Sequence, residues 1–163
     1  DYIIGFDANV AAELGDNLDI DVSDLNGITG IGDIRTGDGT ASAAQATPVV
    51  TVLTGATDMG AANTDIYILS GDFASTGAVE TALESGGSLQ LTSDDATTNY
   101  ATTDGFLVAY DDGTNTYLGT FQFTTDPGDN AVFASGDLTV TNFVQFTGLA
   151  DATTLTSTNF DII

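Results

Sequence analysis

Carboxylates dominate the side-chain chemistry this sequence can offer. Of its 24 acidic residues, Glu13, Glu80 and Glu84 are glutamate and the other 21 are aspartate, set against one basic residue, Arg35. Four groups place short acids within a few residues of Gly or Asn: Asp16, Asp19 and Asp21; Asp94 and Asp95; Asp111 and Asp112 with Asn115; Asp126 and Asp129 with Asn130. Hard oxygen donors on short side chains, with turn carbonyls close by, are the donor set that Ca²⁺ takes. None of the groups has the EF-hand spacing D-x-[DN]-x-[DN]-G-x₅-E. Aspartate also favours turns on its own account, because its carboxylate hydrogen-bonds backbone a residue or two onward. Each group thus has two readings, ion ligand or solvated turn.

Other chemistries are mostly closed. The chain has no Cys, His or Lys, which removes disulfides, thiol and imidazole zinc sites, Ser–His and Cys–His nucleophiles and Schiff-base formation. A carboxylate pair of the glycosidase kind is formally available. Such sites usually bring aromatic platforms for sugars, and Trp is absent. The expectation is a protein that is not an enzyme.

The elements that would position these acids read mainly as strands. YIIGF (2–6) and LDIDV (18–22) are short alternating or β-branched runs, with Ala8–Leu14 a helical turn between them. Residues 26–47 are rich in Gly, Ala, Thr and Ser without a period, and read as a loop-rich insertion. VVTVLT after Pro48 and IYILS after Asp65 read as buried strands. Ser75 or Thr76 can cap a short helix over AVETALES, with Val79, Ala82 and Leu83 on one face and Gly86-Gly87 at its end. That helix is expected to cover a sheet edge or end. SLQLT (88–92), GFLVAYD (105–111), TYLGTFQF (116–123), LTVTNFVQFT (138–147) and the closing FDII complete the strands, and Asp112-Gly113 offers the tight turn of a hairpin. The expected fold is mainly β: one domain over 1–163, an antiparallel β-sandwich or barrel-like fold with one short helix.

Composition bounds the partners. Hydrophobic residues make up 42% of the chain and mean hydropathy is +0.14, too apolar for a disordered acidic tail. A net charge of −23 leaves no basic patch, so nucleic acid and membrane insertion are not expected. Self-repulsion at that charge opposes compaction unless divalent cations, high salt or a cationic partner intervenes. The chain starts at Asp1 without Met, which reads as a processed product or the C-terminal portion of something longer.

Three stretches, in order, resemble the C-terminal regions of repeats-in-toxin (RTX) and S-layer-like exoproteins exported by type I secretion. DYIIGF followed by LDIDVSDL resembles the segment after the calcium-binding repeats, where a D-x-I-x-x-F strand leads into a second strand. GFLVAYDDGTNTYLG resembles a hairpin of the same regions, and GDLTVTNFVQFTGLADATTLTSTNFDII resembles their terminal segment. The match covers about half the chain in short pieces. The calcium repeat itself, GGxGxDxUx, is not present; GITGIGDIRTGDG (27–39) has its composition but not its register.

The resemblance implies Ca²⁺ as cofactor, an extracellular or bacterial cell-surface location, and an uncleaved secretion signal in Phe160, Asp161, Ile162 and Ile163. Those residues can equally be the last strand, with Phe160 and Ile162 facing one side. The expected function is a calcium-stabilised structural or assembly module of a surface layer, sheath or fibre. Its expected partners are further copies of itself in a homopolymer and the type I export machinery. The alternative is a calcium-dependent adhesin or carbohydrate-binding module, with Tyr67, Tyr100, Tyr110 and Tyr117 as contact residues.

Overall fold

A computed structural model describes residues 2–4, 17–25, 31–45, 47–61, 63–93, 100–126 and 131–163. The most apolar runs become the centre of a six-stranded sheet. β1 (Tyr2–Ile4), β3 (Val50–Leu53), β5 (Ile66–Asp72), β7 (Gly105–Asp111), β8 (Thr116–Phe123) and β9 (Leu138–Thr147) lie in the order β1-β9-β8-β7-β5-β3. Two small parallel sheets accompany it: β2 (Leu18–Ile20) with β10 (Phe160–Ile162), and β4 (Thr57–Asp58) with β6 (Leu91–Thr92). The helices are α1 (Val22–Leu25) and α2 (Thr76–Leu83).

The fold is mainly β and sandwich-like, with apolar layers on both faces of the large sheet. On one face Tyr67, Leu69, Phe106, Val108, Phe121 and Phe123 pack under α2 and β6. On the other, Ile66, Ile68, Leu107, Ala109 and Leu118 pack under β2, α1 and β10. Burial on both faces accounts for the unbroken apolar runs IYIL and GFLVAY, because neither side of the pleat is left for water. Antiparallel pairing holds across β7, β8 and β9. The outer pairs β5–β7, β3–β5 and β1–β9 are parallel. Each is joined by a connection long enough to return to the same end of the sheet, and that of β5–β7 carries α2.

β9 changes face midway. Its partners shift from Leu118↔Val144 to Gly119↔Asn142, a bulge that gives β9 one extra residue. Leu138 and Val140 therefore join the first apolar layer, while Val144 and Phe146 join the second. Gly119 lies where the bulge presses in: a Cβ there would sit 2.3 Å from the Thr141 carbonyl oxygen. Ser75 caps α2, its Oγ accepting from the Ala78 N–H at 3.2 Å. The helix closes at Leu83; Glu84 is extended, and Gly86, at φ +81°, makes the turn that follows. As expected, α2 covers a strand edge, and it does so with carboxylates. Glu80 Oε1 accepts from Val140 N–H at 2.8 Å, and Glu84 Oε1 accepts from Gly136 N–H at 2.7 Å. The Val140 N–H would otherwise be part of an open strand edge, and the Gly136 N–H belongs to the turn that leads into β9.

Some strand boundaries differ from the sequence reading. Val22, read as strand, begins α1, because Asp21 caps a helical turn there. SLQLT shrinks to the two residues of β6, preceded by turn. β3 is only partly buried: it is an edge strand, with Leu53 buried but Val52 and the preceding Val49 exposed, since an apolar run does not reveal a strand's place in the sheet order. The described part of the insertion 26–47 runs as loop and turn with isolated bridges at Ile34, Arg35, Ala41 and Gln45. Residues 8–14, read from the sequence as a helical turn, lie outside the described residues.

Candidate metal-binding loops

The β7–β8 hairpin gathers the densest set of expected ligands. Asp112 Oδ1 accepts from the N–H groups of Thr114 at 2.9 Å and Asn115 at 2.7 Å, and its Oδ2 accepts from the Tyr117 hydroxyl at 2.8 Å. Burial pushes the Asp112 carboxyl up, but these bonds outweigh it and hold the group below the ordinary carboxylate range. Gly113, at φ +80°, supplies the left-handed residue of the turn. Asp111 faces inward. Its Oδ1 accepts from Gly113 N–H at 3.1 Å and its Oδ2 from Ala152 N–H at 2.9 Å, which ties the hairpin to residues 151–154. Burial raises the Asp111 pKa, Ala152 and Gly113 offset part of that, and the neighbouring Asp72 carboxylate adds to it. Asn115 Oδ1 accepts from Gly148 N–H at 3.1 Å.

Asp72 was not legible as part of this group. It ends β5, 39 positions before Asp111, and only the parallel register Asp72↔Asp111 brings the two together. No sequence spacing signals such a pair.

The remaining expected ligands divide by use. Asp21 Oδ1 accepts from the Ser23 hydroxyl at 2.6 Å and from the Ser23 N–H at 2.9 Å, a capping role, and the Ser23 hydroxyl leads in lowering its pKa. Asp19 is exposed on β2, in register with Asp161 of β10, so two like charges stand side by side. Asp161 Oδ2 accepts from the Asn17 amide at 2.6 Å. Asp126 is exposed. Asp16, Asp94, Asp95, Asp129 and Asn130 lie outside the described residues. Among the described residues, no three acidic side chains gather in a geometry that would hold a metal ion by themselves. An ion at the hairpin would draw on Asp111 and Asp112, both already engaged with backbone, plus carbonyls and water.

The chain's only basic side chain is spent locally. Arg35 Nε lies 3.0 Å from Asp104 Oδ2, and its Nη2 lies 3.1 Å from Asp33 Oδ2. Asp104 is buried and also accepts from Ala101 N–H, so this pair pins the insertion against the start of β7. No other basic side chain is available to pair with any of the remaining acids.

The C-terminal residues form β10. Phe160 and Ile162 are buried in the second apolar layer, Asp161 is half-buried and Ile163 is exposed. Of the tyrosines, Tyr67 and Tyr110 are buried, while Tyr100 and Tyr117 are half-buried against the first layer. Tyr100 donates its hydroxyl proton to the Gly37 carbonyl and stacks edge-on to Phe106. None of the four stands free as a flat sugar platform. No helix among the described residues is long and apolar enough to cross a membrane. No family model, curated protein or solved structure matches this chain.

Proposed function

We propose that this chain is a non-enzymatic, calcium-stabilised structural module of an exported surface-layer, sheath or fibre-forming protein, working outside the cell. The observation that carries the reading is the fate of Arg35. The one cation is consumed by Asp33 and Asp104, in a molecule of net charge −23 that nonetheless holds two dense apolar layers. A fold so built gains most from cations supplied by its surroundings. Oxygen-ligand sites in extracellular modules bind Ca²⁺ at roughly 10⁻⁴–10⁻³ M, which suits a chain kept expanded where calcium is scarce and collapsing where it is abundant. In such a protein the tail Phe160–Ile163 serves the export machinery while unfolded and becomes β10 afterwards. The burial of the tyrosines lends no support to a sugar-binding module.

The test is a thermal melt followed by circular dichroism across a calcium titration, with chelator and matched NaCl as controls, and negative-stain microscopy of the same samples. A melting temperature that climbs with calcium well beyond the matched-salt control, with ordered polymers appearing, is the expected result. Indifference to calcium and chelator alike would leave only an acidic surface.

A further inference from the structure

A cavity of about 180 Å³ lies where residues 36–45 pass over the start of β5, walled by Thr36, Thr40, Gln45, Asn63 and Asp65 among others. Asp65 is only 2% exposed. Its Oδ2 accepts from the Val49 N–H at 2.7 Å, but its Oδ1 is buried with no hydrogen-bond partner. The Gln45 amide is near enough to ease the charge, without meeting hydrogen-bond geometry at Oδ1. Asp38 adds further negative potential, and Arg35 is committed to Asp33 and Asp104.

An idle oxygen on a buried carboxylate is expensive, and it is relieved by a proton or by a cation. The wall favours the cation. Its polar groups are hydroxyls and two side-chain amides, whose carbonyl ends can turn inward, and it carries no basic group and no aromatic ring. The volume corresponds to about six waters at ~30 Å³ each. That suits a partly hydrated ion and is smaller than the roughly 300 Å³ at which pockets for larger ligands begin. Ca²⁺ accepts irregular shells of six to eight oxygens, whereas Mg²⁺ demands near-ideal octahedra.

We propose that this cavity is a Ca²⁺ site in which Asp65 Oδ1 is the anionic ligand, the side-chain carbonyls of Gln45 and Asn63 are neutral ligands, and water completes the shell. The site rests on the calcium reading and deepens it, since none of the acidic loops in the sequence includes Asp65. It also has a consequence for the chain's end. Gln45 exchanges both backbone hydrogen bonds with Ile162, at 2.7 and 2.9 Å. An ion held between Gln45 and Asp65 therefore fastens β10, through one residue, to the start of β5.

Two measurements test this: isothermal titration of calcium into the full chain and its Asp65→Asn variant, and NMR of the unaltered chain with substoichiometric Mn²⁺. The expected results are one fewer bound ion in Asp65→Asn, and broadening of the Gln45 and Asn63 side-chain amides among the first resonances affected. Equal stoichiometry in the variant, with those amides sharp while others broaden, overturns the site and leaves the calcium reading intact. A melting temperature that ignores calcium would overturn both the calcium reading and this cavity as a Ca²⁺ site, even with broadening at Gln45 and Asn63, because an ion held only by the folded chain raises it. If Asp65→Asn does not fold, the Mn²⁺ pattern on the unaltered chain decides alone.

Discussion

A single glycine shows how closely this sheet is fitted. Gly119 faces the β9 bulge at a separation that admits no Cβ, because the obstacle is backbone, the Thr141 carbonyl, and not a side chain that could swing away. Gly119→Ala should cost about 3 kcal/mol, the upper range for overpacking, read from urea unfolding. Gly55→Ala, where an added Cβ meets nothing within 4 Å, should stay within about 0.5 kcal/mol of the parent. Glu84 makes a complementary case. Truncation to Ala would strand the Gly136 N–H, and also the Leu138 N–H that shares the same oxygen. A loss of about 2–3 kcal/mol is expected, with Glu84→Gln milder because its amide oxygen still accepts. The glycine could have been noted in TYLGTFQF but not its obstacle, which lies in a strand some twenty residues on.

At the scale of elements, the outer strands and caps depend on distant partners. β10 contributes Phe160 and Ile162 to an apolar layer built largely by the central sheet and by α1. Phe160→Ala should destabilise the molecule by about 3–5 kcal/mol, measured by chemical denaturation. If the tail were only an export tag lying loosely on the surface, the same substitution would leave stability unchanged. The hairpin β7–β8 and the strand β9 match their sequence patterns residue for residue, because the turn 112–115 carries its own Asp-Gly signal and all three strands are long runs of β-branched and aromatic residues. β3 and β6 do not match, because their lengths and exposure are set by strands far away in the chain.

For the whole molecule, charge decides the response to pH. Burial raises the pKa of Asp65 and of Asp111 in the folded state. A raised carboxyl pKa means the folded state binds its proton more tightly than the unfolded chain does, so stability falls as pH rises through the folded value and is recovered on acidification. Asp112, Asp38 and Asp21 have lowered values. Their contribution is present above the ordinary carboxylate value of about 3.9 and is lost as pH falls through their folded values. Without calcium, melting temperature should therefore rise as pH is lowered from neutrality toward the ordinary carboxylate value of about 3.9 and drop again below it, at about 2–4 °C per kcal/mol. With calcium at a hundred times its Kd, each site should add about 2.7 kcal/mol and flatten that rise. Differential scanning calorimetry over a pH series, with and without calcium, reads both effects.

The sequence by itself determined the mainly β character, the capped helix α2, the tight hairpin and the absence of a second basic side chain. Each of these is written in local pattern or in composition, where period, turn chemistry and charge need no distant partner. Only the tertiary structure decided the mixed strand order, the face change in β9, the pairing of Asp72 with Asp111 and the unpartnered oxygen of Asp65. Those follow from which segments return beside one another after long connections, and the cost of a buried charge exists only once the surrounding chain has closed over it.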